Sequence, residues 1–174
     1  MGDALSTLVG TFHEILEEQF KRHPKLFAVD DEAAEDFARD AADWAISNCR
    51  WHLALGETVS LEHLARELGE APKDLEDQVA RGKLVALQGR FETFVPLWQI
   101  EGLGDKPRMR ENAMAVVATF HEILGKFYRP EHVISWAATK QAEIGQQRPR
   151  DVMEDESLRD GLIQAATVAA RSLA

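Results

Sequence analysis

The chain has 174 residues, of which 45% are hydrophobic, and its 30 acidic and 20 basic residues give a formal charge of −10. This length supports one core of ordinary size or two small modules that share an interface. The acidic excess argues against a large phosphate-binding surface. The single cysteine, Cys49, excludes an internal disulfide, and we find neither a signal peptide nor an apolar run of about 18 residues. We therefore expect a cytoplasmic protein without a membrane span.

Two long amphipathic helices are predicted at the start of the chain. Apolar residues recur at helical spacing from Asp3 to about His23, and Pro24 ends this pattern. A second helix begins behind the acidic residues 30–32, whose charges suit a helix N-terminus, and runs to about Leu55.

The following segment has the pattern of a helix-turn-helix and a hairpin. Ser60 is a suitable N-cap for the short helix LEHLAREL, GEAP forms a turn, and Gly82 closes a second short helix. The β-rich runs LVALQ and FETFVPLWQI then flank Gly89 and Arg90, which predict a two-residue turn of the Gly-X kind. The hairpin is expected where a winged-helix module has its wing.

The stretch GLGDKP at residues 102–107 resembles a linker and coincides with a change in charge balance. Residues 1–105 carry 21 acidic and 10 basic residues, whereas residues 106–174 carry 9 and 10. We therefore predict three regions, at residues 1–56, 57–106 and 107–174. In the last region two amphipathic helices are followed by the loop IGQQRPRDV and a final helix from about Glu154. The predicted fold class is mainly α, with bundle-like helical modules and one small β-hairpin.

The hexapeptide TFHEIL occurs twice, at residues 11–16 and 119–124. In each copy Phe, Ile and Leu fall on the apolar stripe, which is typical of an amphipathic helix. A zinc-binding helix needs a second His four residues after the first, but Glu17 and Gly125 stand at those positions. Phosphate-binding loops and nucleophile elbows are missing from the sequence. We expect no cofactor, no metal and no enzymatic activity, although an acid–base site at a His such as His13, His121 or His132 stays a minor alternative.

DNA binding by the helix-turn-helix is a second interpretation. Its candidate residues are Lys73, Arg81, Lys83 and Arg90. A recognition helix presents basic and amide side chains near its N-terminus, whereas this one carries Asp74, Glu76 and Asp77. A helical hairpin used only for packing is an equally good interpretation.

Three motifs in the C-terminal half point to a known family. They are FVPLWQI, which matches a Phe-Pro-x-x-Gln-like motif, HVISW in a Trp-containing helix, and IGQQRPRDVM, which matches a Leu-Gly-Gly-x-x-Pro-x-Asp-Leu-Leu loop. Residues from about Leu84 onward therefore resemble the antitoxin Xre/MbcA/ParS-type toxin-binding domain, which follows a helix-turn-helix in antitoxins paired with RES-domain toxins. Gln146 in place of the second Gly, and Arg150 in place of an apolar residue, depart from this pattern.

The resemblance implies that the chain binds and neutralises a RES-type toxin that consumes NAD, by covering the toxin's active site with its C-terminal domain. It also implies a homodimer that represses its own promoter DNA as a complex. The partner-binding residues that it implies are Trp136, Ile144, Gly145, Arg148, Pro149, Arg150 and Asp151. The alternative function is a DNA-binding transcriptional regulator that uses residues 57–101 and dimerises through its C-terminal domain.

Overall fold

The computed structural model describes residues 2–28, 30–89 and 91–174, and their side chains except at residues 2–5, 26 and 27. It divides into two compact units, Met1–Cys49 and Arg50–Ala174. The regions 57–106 and 107–174 that the sequence separates both belong to the second unit.

The first unit is formed by two long helices. Helix α1 spans Gly2–Arg22, a short 3₁₀ turn follows at Pro24–Phe27, and helix α2 begins at Asp31 and ends at Leu55 inside the second unit. The side chain of Asp30 accepts a hydrogen bond from the Ala33 N–H at 2.9 Å, which satisfies one of the free amides at the start of α2. Both predicted helices are therefore confirmed, with ends within about two residues of those expected.

The second unit begins with the predicted helix-turn-helix. Its elements are strand β1 (Thr58–Ser60), helix α3 (Leu61–Leu68), helix α4 (Pro72–Ala80), strand β2 (Leu87–Gln88) and strand β3 (Thr93–Pro96). Ser60 caps α3 by accepting a hydrogen bond from the His63 N–H at 3.2 Å. The strands form an antiparallel sheet in the order β1-β3-β2, so the short first strand, which the sequence did not predict, lies beside the hairpin.

The hairpin is present, but its register is not that of the predicted turn at Gly89 and Arg90. Gln88 pairs with Thr93 and Leu87 with Phe94, and the Gly89 N–H donates to the Glu92 carbonyl at 2.8 Å, so the connection lies one residue later than predicted. The register follows side-chain burial, because the predicted turn would pair Leu87 with the acidic Glu92 instead of with an aromatic ring. Arg90 lies outside the described residues.

The rest of the chain is a helical layer preceded by a second small sheet. Its elements are strands β4 (Ile100–Glu101) and β5 (Arg108–Met109), and helices α5 (Glu111–Leu124), α6 (Pro130–Ala137) and α7 (Arg159–Leu173). The stretch GLGDKP connects the antiparallel pair β4 and β5 and is a hairpin connection inside the second unit. Helix α7 begins five residues later than predicted, since residues 152–158 form turns in which Asp155 accepts a hydrogen bond from the Ser157 N–H.

Two hydrophobic clusters fill the second unit. The smaller lies under α3, α4 and the first sheet, and the larger holds α5, α6 and α7 together. The segment before β2 joins them, because Leu84 and Ala86 belong to the smaller cluster whereas Val85 between them belongs to the larger. This alternation explains why the helix-turn-helix and the C-terminal helices form one unit.

The predicted fold class, mainly α with a small hairpin, is confirmed. None of the helices in the described part of the chain is long and apolar enough to span a membrane.

Candidate functional site

Two of the seven candidate partner-binding residues are core residues. Trp136 lies on α6 with 6% of its surface exposed, and its ring packs edge-on against Phe120 of α5 with 5.5 Å between the centroids. Ile144 is 2% exposed and belongs to the same hydrophobic cluster. Both side chains support the candidate surface from below and are not available to a partner without rearrangement of the core.

The loop that follows α6 has a tightly defined backbone. Gly145 adopts a left-handed conformation with φ 69°, and Gln146 follows it with φ 62°, the only positive φ of a non-glycine residue in the described chain. The Gln141 N–H donates to the Gln147 carbonyl at 2.9 Å, and the Gln146 N–H donates to the Gln141 carbonyl at 2.8 Å. Gln146 thus takes the left-handed backbone that glycine adopts most easily, which costs about 1 kcal/mol in a residue with a Cβ.

The second half of the loop ties it to the end of α2. Pro149 is buried, and the Arg150 guanidinium donates two hydrogen bonds from Nη1, to the carbonyls of Leu53 at 2.6 Å and Ala54 at 2.9 Å. These carbonyls lie in the last turn of α2, where a positive charge interacts favourably with the helix dipole. Arg150 therefore has an intramolecular role that the sequence did not reveal, because its partners lie almost a hundred residues earlier.

Three of the candidate residues remain accessible on this loop: Gly145, Arg148 and Asp151 are exposed. The Arg148 side chain makes no hydrogen bond or ion pair with any described residue. Asp151 lies 3.5 Å from the Arg150 Nε through its Oδ1, and its side chain is 56% exposed. The loop consequently presents one cation and one anion, at the ends of the four-residue stretch 148–151, on a backbone fixed by hydrogen bonds.

An open cleft of about 520 Å³ lies beside α6, lined by Trp51, His132, Trp136 and residues of α7. The His132 Nδ1 and the Trp136 Nε1 are buried and have no hydrogen-bond partner among the described residues. An unpaired buried polar group is costly, by about 1–3 kcal/mol.

The motif FVPLWQI supplies the most buried polar side chain among the described residues of the second unit. Gln99 is 0% exposed, its Oε1 accepts from the Val85 N–H at 2.8 Å, and its Nε2 donates to the Val85 carbonyl at 2.8 Å. The side-chain amide thus forms the two hydrogen bonds to Val85 that a neighbouring strand would otherwise form, in the segment that joins the two hydrophobic clusters. Sequence reasoning missed this role, because a Gln next to a hairpin is most often on the surface.

A second contact between the helix-turn-helix and the C-terminal helices lies just after α4. Gly82 has φ 66°, and a Cβ at this position would overlap the Cγ of His121 on α5. The His121 ring packs against Tyr128, with 5.1 Å between centroids. Burial, and to a smaller extent the charge of Glu131, raises the pKa of Tyr128 from 10.0 to about 12.

The candidate DNA-binding residues are only loosely grouped. Lys73 lies in the first turn of α4, 3.6 Å from a Glu76 carboxylate oxygen and 3.5 Å from one of Asp77, so its charge is shared with two acids. Arg81 and Lys83 are exposed just behind the helix. The N-terminal half of α4, which enters the major groove in known helix-turn-helix complexes, is therefore acidic on balance.

The His-Glu pairs give no metal centre in the described part of the chain. The His13 Nε2 lies 3.3 Å from the Glu17 Oε1 on the exposed face of α1, and no group of three or more His, Cys, Asp or Glu side chains comes together among the described residues. Of the other two candidate histidines, His121 packs against Tyr128 and His132 lines the cleft beside α6.

None of the protein-family models, curated proteins or solved structures compared with this chain matches it.

Proposed function

We propose that the chain is an antitoxin-like protein that binds and neutralises a RES-type, NAD-consuming toxin through residues 107–174, and that it acts as a homodimer in the cytoplasm. The observation that supports this best is the loop after α6. Its backbone is fixed by hydrogen bonds, while Arg148 and Asp151 remain exposed at its surface. A preorganised loop loses little conformational entropy when it binds, so its charges set the register of an interface at low cost.

In this role the residues of the loop have different tasks. Arg148 and Asp151 contact the toxin, whereas Arg150 and Pro149 hold the loop against the body of the unit. Trp136 and Ile144 form the packed base under the contact surface. The antitoxin has no chemistry of its own, since it acts by covering the toxin's active site.

An affinity purification from the native organism tests the proposal. The wild-type chain is compared with an Arg148→Glu, Asp151→Arg double variant, and the bound proteins are identified by mass spectrometry. An Arg66→Glu, Glu62→Arg variant serves as the control, because it makes the same charge changes on exposed positions of α3. Recovery of a RES-domain protein with the wild type and the control but not with the loop variant supports the proposal.

DNA binding is the second candidate function. It is favoured by the order of the elements β1, α3, α4, β2 and β3, because a strand, two helices and a hairpin follow one another in this way in winged-helix modules. In this account the exposed cations Arg81 and Lys83 contact phosphates. If the affinity for duplex DNA fell steeply with salt, and fell less steeply after Lys83→Ala, DNA binding would be favoured over toxin binding. Recovery of DNA without any RES-domain protein would make it the leading function.

A further inference from the structure

The first unit contains a large cleft between its two helices. It has a volume of about 820 Å³ and lies between the C-terminal half of α1 and the N-terminal half of α2. Its lining is mostly apolar, with the rings of Phe12, Phe20 and Phe37 and several alanines of α2, among them Ala34 and Ala41. The two helices are therefore apart where an ordinary helical hairpin packs side chains against each other.

The apolar surface extends beyond the cleft along both helices. Phe12 is 46% exposed, Phe37 61% and Trp44 72%, and aliphatic side chains are about half-exposed at Leu8 and Ile15. A fully buried aromatic side chain covers about 150–250 Å², so the aromatic residues alone leave several hundred Å² bare. With the aliphatic residues added, the face exceeds the roughly 300–600 Å² of the largest apolar patch on a typical monomer and approaches the roughly 800 Å² that each partner buries in a standard interface.

The repeated hexapeptide TFHEIL allows the apolar face of α1 to be compared with the apolar face of α5. In the second copy, on α5, Phe120 is 0% exposed and Leu124 3%. In the first copy, on α1, Phe12 is 46% exposed, and Leu16, which corresponds to Leu124, is only partly buried. The Phe and Leu positions of the hexapeptide are thus buried on α5 and more open on α1, so the face of α1 has the sequence of a helix whose apolar side is covered.

The stripe on α2 leads to the same conclusion. Apolar residues follow at alternating spacings of three and four, at Ala34, Phe37, Ala41 and Trp44, and after the polar Asn48 the next position of the series is Trp51. Trp51 is partly buried and packs against the larger cluster of the second unit, whereas Trp44 is bare. A stripe with this spacing is the seam of helix-to-helix packing in coiled coils and helical bundles.

We infer that the apolar face of α1 and α2 binds the same face of a second copy of the chain, so that the two hairpins form an intermolecular helical bundle. A two-fold interface must be complementary to itself, because each copy offers the same patch. This face meets that condition: α1 offers large side chains such as Phe12 and Leu16, and α2 offers a row of alanines that leaves room for them. The inference specifies the homodimer of the proposed function, on which it rests, and assigns its surface to the first unit.

Charge sets the salt dependence of this dimer. Residues 1–49 carry 11 acidic and 4 basic residues, so two copies of the first unit repel each other electrostatically. Salt screens exposed charges over about 8 Å at physiological strength. Association of two copies therefore strengthens as salt is added, whereas a basic amphipathic helix in the same cleft would bind more weakly in high salt.

The test is the mass of the full chain in solution, measured without toxin by size-exclusion chromatography with light scattering at protein concentrations from about 1 to 100 µM. We expect twice the 19.5 kDa mass of one chain. Trp44→Asp and Phe37→Asp should each raise the dissociation constant of the dimer by about 100-fold or more. Both residues are mostly exposed, so helix content by circular dichroism should not change.

Phe127→Asp is the matched control, because Phe127 is a 60%-exposed aromatic residue of the second unit, and this variant should remain a dimer. A monomer at every concentration and salt, or a dimer that survives both Trp44→Asp and Phe37→Asp, would overturn the inference. So would a monomer that takes up a basic amphipathic peptide with an affinity that falls with salt. Since no toxin is present, these outcomes leave the role of the loop at residues 141–152 to be judged on its own.

Discussion

The side-chain amide of Gln99 forms two hydrogen bonds with the backbone of Val85, one to its N–H and one to its carbonyl, each 2.8 Å long. Val85 stands between Leu84 and Ala86, which pack into the cluster of the helix-turn-helix, and itself packs into the cluster of the C-terminal helices. Gln99 therefore fixes the backbone of the segment 84–86, whose side chains connect the two hydrophobic clusters.

Loss of this amide should destabilise the whole second unit. Gln99→Leu leaves the N–H and the carbonyl of Val85 buried without partners, and each such group costs about 1–3 kcal/mol. We expect the free energy of unfolding, measured by urea denaturation, to fall by about 2–4 kcal/mol. The exposed Gln164 on α7 provides the control, since Gln164→Leu should change it by less than about 0.5 kcal/mol. Equal stability of the two variants would contradict this role.

Of the two arginines in the loop, Arg150 should contribute to the stability of the fold, whereas Arg148 should not. Arg150→Ala removes both hydrogen bonds to the end of α2, and hydrogen bonds from charged groups contribute about 1.5–3 kcal/mol. Arg148→Ala removes an exposed side chain without a described partner and should leave the urea midpoint unchanged. If Arg148→Ala destabilised the protein as much as Arg150→Ala, the assignment of Arg148 to a partner surface would fail.

Gly82 should be intolerant of any side chain. A methyl group at this position overlaps the His121 ring and also forces a left-handed backbone on a residue with a Cβ. We expect Gly82→Ala to lower the free energy of unfolding by about 2–4 kcal/mol. Backbone strain contributes about 1 kcal/mol of this loss, and overpacking against the ring contributes about 1–3 kcal/mol. Gly69→Ala isolates the strain, because Gly69 has φ 69° and a Cβ there would meet only open space. A second change, His121→Ala, should recover part of the loss in the Gly82→Ala chain.

The stability of the protein should fall at alkaline pH through Tyr128, its single tyrosine. The unfolded phenol loses its proton near pH 10, whereas the folded one, with its pKa raised to about 12, keeps it. The stabilising contribution is therefore complete below pH 10 and is lost as the pH rises to 12, by about 2–3 kcal/mol at 1.36 kcal/mol per pKa unit. Tyr128→Phe should lack this decline and serves as the reference for the lysines that titrate in the same range. An absorbance titration of Tyr128 with a midpoint near pH 10 in the folded protein would contradict the predicted loss of stability.

The sequence predicted the helices well because their determinants are local. The acidic start of α2, the Ser60 cap and the proline at the start of α6 are each recognisable within a few residues. The strand β1 was missed because its three residues are defined only by their pairing with β3, which lies more than 30 residues later. Local pattern predicts an element, but the partner of a short strand is a property of the fold.

The candidate site shows the same limit. The exposure of Arg148 and Asp151 agrees with their predicted place on a polar loop. The roles of Arg150 and Gln99 depend on backbone carbonyls and amides of distant residues, which no pattern of side chains reveals. Nor could periodicity distinguish the two copies of TFHEIL, since both have the same apolar stripe and only the tertiary packing decides which is covered.

The most direct test of the proposed function is the inhibition of NAD consumption by a purified RES-domain toxin of the same organism, titrated with the wild-type chain and with the Arg148→Glu, Asp151→Arg variant. We predict complete inhibition near equimolar wild-type chain, and an inhibition constant raised by about 100-fold or more for the loop variant, at unchanged stability. Inhibition that is equal for the two chains would remove the loop from the interface. Full toxin activity in the presence of excess wild-type chain would contradict the antitoxin function itself.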